Sequence, residues 1–165
     1  MTVEIAMEDA RWEAAGLEAI AGRAVSAALA HLGTVPGAWE LAILACDDAR
    51  IAGLNADFRG KPRATNVLSW PAQDLAPAAP GARPPAPVPD LHGEPLFLGD
   101  VALAWETCVA EAEAGGRPLA DHLSHLVVHA VLHLLGYAHE TEADAARMEG
   151  EEARILDRLG VANPY

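Results

Sequence analysis

The sequence predicts an α+β fold, a small mixed sheet of about four strands packed with five or so helices. Three observations carry that expectation. Short apolar runs of strand character occur at 2–7, 39–46, 65–70 and 96–104, and helical patterns separate the first three of them. The last third of the chain carries helical patterns alone. One of those, about residues 119–135, is apolar almost all round and contains neither Gly nor Pro, as expected of a helix enclosed by other elements.

In chain order, Thr2 to Met7 sets Val3, Ile5 and Met7 against Glu4 and Ala6, the period-two signature of a half-buried strand. Leu17 to Leu32 spaces its apolar residues at helical intervals and is closed by Gly33. His31 falls in its last turn, where the helix dipole favours a cation, and is given no functional role. Trp39 to Cys46 is dense enough in apolar residues to be a central strand. Asp47 is placed to cap a helix running through about Phe58 and ending at Gly60. Thr65 to Trp70 reads as a third strand stopped by Pro71. Residues 71–95 hold eight prolines in an Ala/Pro/Gly tract, expected to be an extended, mobile loop. Leu96 to Ala104 resumes as the fourth strand, and two or three helices follow. The last, about Glu142 to Leu159, bears Glu142, Asp144, Glu149, Glu151, Glu152 and Asp157. Those acids read as a solvated face, with Met148, Ile155, Leu156 and Leu159 turned inward. The whole chain, 1–165, is expected to form one domain, its length sufficient for one core.

The net charge of −13 argues against a generally basic nucleic-acid surface, though not against a local cationic site. Cys46 and Cys108 are isolated from each other in sequence and read as buried thiols of a reducing compartment. The first eight residues lack the charged-then-apolar order of a secretion signal, and no run reaches the roughly 18 apolar residues of a membrane span. A cytoplasmic protein without membrane association is the expectation.

The chemistry concentrates in His129-Ala-Val-Leu-His133-Leu-Leu-Gly136-Tyr-Ala-His139. Four residues apart on a helix, His129 and His133 stand on one face. Gly136 allows a tight turn that can return His139 toward the pair. Three neutral imidazoles and a vacant fourth position suit one catalytic Zn²⁺. His122 and His125 share the same helical stripe, and His125 with His129 forms a competing i, i+4 pair. The set 129/133/139 is preferred because only it gains a ligand from beyond the helix, which leaves His125 as an outer or interface residue.

The same ligand spacing, His-x3-His-x2-Gly-x2-His, marks the helix of the metzincin proteases, so a zincin-like metal helix is expected. Those enzymes require Glu directly after the first histidine as general base, and here that residue is Ala130. Arg59, Lys61 and Arg63 form the one cationic cluster, and Lys61 is the sole lysine. A solubilising loop accounts for them equally well by composition. A guanidinium, however, can grip a phosphodiester bidentately, and a metal with an arginine and no carboxylate base fits phosphate chemistry better than amide hydrolysis.

In these motifs the chain resembles the YbeY family of rRNA maturation factors, single-strand-specific metallo-endoribonucleases. The matching segments are Leu54-Asn55 through Arg59, Thr65 to Pro71, Leu98-Gly99-Asp100-Val101, His125 to His129, Leu132 to Tyr137, His139, and Leu159-Gly160 with Asn163-Pro164-Tyr165. The resemblance implies zinc on His129, His133 and His139, one ion per chain, and a cleavage role for Arg59. Lys61 and Arg63 are then candidate substrate contacts. It further implies 16S rRNA 3′-end maturation and 70S ribosome quality control, with single-stranded rRNA and the small ribosomal subunit with its assembly factors as partners. The chain departs from the family's usual Gly at Ala130, Asp at Asn66 and Asp at Ala138; none of these is an expected ligand. A non-catalytic assembly factor holding structural zinc, and a zinc peptidase, are the competing readings.

Overall fold

The computed structural model describes residues 2–34, 39–87 and 92–165. Its strands are β1 (Thr2–Met7), β2 (Trp39–Cys46), β3 (Val67–Pro71) and β4 (Leu96–Ala104). Its helices are α1 (Arg11–Ala14), α2 (Leu17–His31), α3 (Asp48–Arg59), α4 (Trp105–Ala114), α5 (Leu119–Leu134) and α6 (Glu142–Arg158). The strands form one mixed sheet in the order β1-β2-β4-β3. β1 and β4 flank β2 in parallel, and β3 closes the edge antiparallel to β4. The α+β fold predicted from the sequence is the one observed.

β2 earns its central place by composition. Leu41, Ile43 and Ala45 point into the larger core with Leu98, Val101 and Leu103 of β4, under Ala21, Ala24, Val25 and Ala28 of α2 and the apolar residues of α5. On the other face Cys46, Ile51, Leu68, Ala102 and Ala104 make a smaller core beneath α3, with Leu54 and Trp70 against it. Alternation along β3 therefore divides the strand, since Val67 packs with the larger core and Leu68 and Trp70 with the smaller. The short α1 was not expected from the sequence. It is fixed by Trp12, fully buried, whose Nε1–H donates to the Cys46 carbonyl at 2.8 Å.

The caps agree with the local sequence. The Asp47 side chain accepts from the Arg50 amide at 2.8 Å and opens α3. Pro118 stands one residue ahead of α5 as its cap. Thr141 opens α6 by accepting from Asp144 N. Buried Leu123, Leu126, Val127, Val128, Ala130, Val131, Leu132 and Leu134 fill α5, which packs against α2, α4, α6 and β3. Of the described residues, no helix is long and apolar enough to cross a membrane.

Two expectations need correction. The third strand begins at Val67, not Thr65, because Asn66 turns its side chain onto the Val67 amide at 2.6 Å. The acids of α6 are not uniformly solvated: Glu151 is 5% exposed and Glu152 is 0% exposed. The Ala/Pro/Gly tract holds neither helix nor strand among its described residues beyond Pro71 and before Leu96. It is tied to the body at Gly81, whose N–H donates to Asp144 Oδ1 at 2.8 Å and whose carbonyl accepts from Arg147 Nε at 2.8 Å. Its residues 88–91 lie outside the described residues.

Candidate metal centre

The site is built at the C-terminal end of α5. The helix stops in a Schellman motif: the Tyr137 amide donates to the Leu132 carbonyl at 3.0 Å and the Gly136 amide to the His133 carbonyl at 3.1 Å. Gly136 has φ +98, and a Cβ there would stand 2.1 Å from the Leu75 carbonyl oxygen. The turn therefore needs glycine for its dihedral and for the close approach of the 71–95 tract. It returns the Tyr137 carbonyl to His133 Nδ1 at 2.9 Å and carries His139 back over the helix.

His129, His133 and His139 come together, each offering a ring nitrogen within 4.8 Å of the others. His129 and His133 are half-buried and His139 is exposed. Ring centroids lie 4.5 Å apart for 129/133, 5.2 Å for 133/139 and 5.8 Å for 129/139. The partners of the Nδ1 atoms settle two tautomers. The Tyr137 carbonyl has no proton to give, so His133 Nδ1 donates. The Glu152 carboxylate likewise accepts from His129 Nδ1. In the neutral rings each Nε2 then carries the lone pair, and the two Nε2 atoms face each other at 3.0 Å. Two neutral acceptors at that distance repel unless a proton or a metal ion lies between them. Nitrogens bound at about 2.0–2.1 Å to one tetrahedral ion lie roughly 3.3 Å apart, within a few tenths of an ångström of the observed spacing. The donor set fits Zn²⁺.

Burial keeps the His133 ring in ligand form. Burial, with help from the neighbouring His129, pushes His133 down to about 4 against the opposing pull of the Tyr137 carbonyl. Burial alone would raise Glu152, but hydrogen bonds from His125, His129 and Tyr165 hold it at about 2. It is therefore an anion in the interior. His125, expected to be an outer residue, donates from Nε2 to Glu152 at 3.1 Å.

A cavity of about 410 Å³ opens over the cluster, lined by the three histidines, Arg59, Asn66, Ser69, Ala130 and Glu140 among others. The structure thus brings Arg59, from the last turn of α3, to the same cavity as His129, His133 and His139. Lys61 and Arg63 do not line it; both are exposed on the loop just beyond. Among the described residues none of the three cationic side chains is engaged in an ion pair. That loop is held by Asn55, 4% exposed, whose Nδ2 donates to the Arg63 carbonyl at 3.0 Å. Asn66 gives its amide protons to Glu111, and Glu111 also meets His122 at 2.9 Å.

Three residues escaped the sequence reading. Glu152 and Tyr165 look like members of an acidic helix and a trailing segment. Glu140 brings a carboxylate to the cavity wall, although the position that metzincins fill with their base is Ala130. A Glu beside the third histidine was visible in the sequence; nothing there pointed to Glu152.

The sequence is similar to known proteins over its whole length. A Dinoroseobacter shibae protein named Endoribonuclease YbeY is 62% identical, covering 99% of this chain and 90% of its own. A Ruegeria pomeroyi protein of the same name is 54% identical, covering 100% of this chain and 98% of its own. The solution structure of TM1509 from Thermotoga maritima superposes with a TM-score of 0.54 at 17% identity, over 96% of this chain and 91% of that one; it bears on the fold alone. The family model described as Endoribonuclease YbeY matches residues 3–160. With the match spanning sheet, cationic loop and histidine turn alike, this chain belongs to the Endoribonuclease YbeY family.

Proposed function

We propose that the chain is a zinc-dependent, single-strand-specific endoribonuclease, one domain over 1–165, acting in 16S rRNA 3′-end maturation and 70S ribosome quality control. It works in the cytoplasm on single-stranded rRNA, with the small ribosomal subunit and its assembly factors as partners. The observation that supports this best is the pair of histidine Nε2 atoms held 3.0 Å apart beside a cavity that Arg59 also lines. His129, His133 and His139 would hold the ion. When bound, zinc supplies a Lewis acid for a phosphoryl oxygen and lowers the pKa of a water.

The protein's own groups do the rest. Arg59 binds the scissile phosphate and neutralises charge that grows on its oxygens during cleavage. Lys61 and Arg63, outside the cavity, contact flanking phosphates of the strand. The Tyr137 carbonyl fixes the His133 ring with its Nε2 toward His129, and the exposed His139 would leave one side of a bound ion open to substrate. That openness disfavours a structural zinc sealed by a fourth side chain.

The test is cleavage of a single-stranded rRNA 3′-end substrate alongside metal analysis. His133→Ala should lose both zinc and cleavage. Arg59→Ala should keep zinc while cleavage falls about 10²–10³-fold, the usual effect of removing one charge-stabilising group. Full activity in both variants overturns the proposal.

A further inference from the structure

We propose that Glu152 is the positioning residue of the metal centre: its buried carboxylate accepts the Nδ1 proton of His129 and so commits that ring's Nε2 lone pair to the ion, while Tyr165 and His125 lock the carboxylate in place. The inference rests on the metal reading above. Glu152 sits on α6 and reaches across to α5, with none of its surface exposed. Its Oε1 accepts from His129 Nδ1, and its Oε2 accepts from the Tyr165 hydroxyl and from His125 Nε2. A carboxylate is costly to bury unless its oxygens are satisfied, and this one meets three donors.

A plain helix-to-helix pin would explain burial but not this arrangement. Pinning of α6 is already provided one residue earlier, where Glu151 Oε2 meets His31 Nε2 of α2 at 2.6 Å. Glu152 instead directs one oxygen to the ring edge opposite the histidine cluster. An imidazole whose Nδ1–H is held by an anion is both oriented and more basic at Nε2. His125, His129 and Glu152 also lie close enough to hold an ion of their own. Both carboxylate oxygens are engaged by the Tyr165 hydroxyl and the two ring donors, and the trio acts as the support of the first centre.

The experiment compares wild type, Glu152→Gln, Glu152→Asp and Tyr165→Phe by two readouts: zinc affinity from chelator competition, and histidine tautomers from nitrogen NMR of the metal-free protein. Wild-type His129 should carry its proton on Nδ1. Glu152→Gln should weaken zinc by about 10–100-fold and release His129 into both tautomers, because an amide can donate as well as accept. Glu152→Asp, one methylene shorter, should not restore either. Tyr165→Phe should leave the His129 tautomer intact with a smaller loss of affinity. Equal zinc affinity in folded Glu152→Gln and wild type, or a wild-type His129 protonated at Nε2, overturns the inference. The tautomer measurement needs no variant to fold. Failure of the wild type to bind zinc would sink the nuclease reading, and the tautomer on the same sample would still judge this one.

Discussion

Replacing Gly136 with alanine tests the turn that delivers the third histidine. At φ +98 an L-residue is strained, by about 1–2 kcal/mol. The new Cβ would stand 2.1 Å from the Leu75 carbonyl oxygen and 2.6 Å from its carbonyl carbon. Both are backbone atoms, so the 71–95 tract must shift, and such overpacking costs about 1–3 kcal/mol. The two together come to about 2–5 kcal/mol. At roughly 2–4 °C per kcal/mol for a chain of this size, the melting temperature should fall by roughly 4–20 °C. Gly160→Ala is the control: φ is +73 with no atom within 4 Å of the added Cβ, so only the dihedral strain of about 1–2 kcal/mol applies. Zinc affinity should fall in Gly136→Ala and hold in Gly160→Ala. Adding Leu75→Ala should not rescue the former, since the closest contacts are main chain. A Gly136→Ala protein that melts with or above Gly160→Ala and binds zinc normally refutes the reasoning.

Two further outcomes are expected. Asn55→Ala removes the buried donor to the Arg63 carbonyl and should cost about 1–2 kcal/mol in a denaturant titration. Release of the 60–63 loop should also weaken single-stranded RNA binding, and an unchanged affinity counts against the loop's placement. Burial raises the Cys46 thiol to about 11 and the Cys108 thiol to about 12. Both should therefore resist a thiol reagent at pH 8 in the folded protein and react on unfolding; prompt native labelling would contradict the burial. Because these folded-state values lie above those of free thiols, the stability they contribute is whole below about pH 8.5 and is lost as pH climbs through 11 to 12.

What the sequence made legible is what a local period encodes. The strands at Thr2–Met7, Trp39–Cys46 and Leu96–Ala104 coincide with the expected runs because alternation and β-branched density are properties of neighbours in the chain. The same holds for α5, where His129 and His133 inherit one face from the helical repeat, and Gly136 announces the turn. Arg59 was legible as part of a cation cluster, and the fold then separated it from Lys61 and Arg63 by bringing it alone to the cavity. Glu152 was not legible. It lies 23 residues from His129 on a helix crowded with acids, and only the packing of α6 on α5 tells it from the exposed ones such as Glu142, Glu149 and Asp157. The four-residue α1 was missed for a related reason: too short for a period, it owes its place to Trp12 filling the core.

The strand β3 sets a rule for how this chain tolerates length change. Its residues face opposite layers in turn, Ser69 at the cavity over the histidines and Trp70 at the far side of the sheet. Removing one residue between Val67 and Pro71 would exchange those sides and push an indole into that cavity. A deletion within 76–80, between the anchors at Leu75 and Gly81, would leave that parity untouched. Evolution or an engineer can lengthen the tract beside the strand with little consequence, while the strand itself admits no odd step.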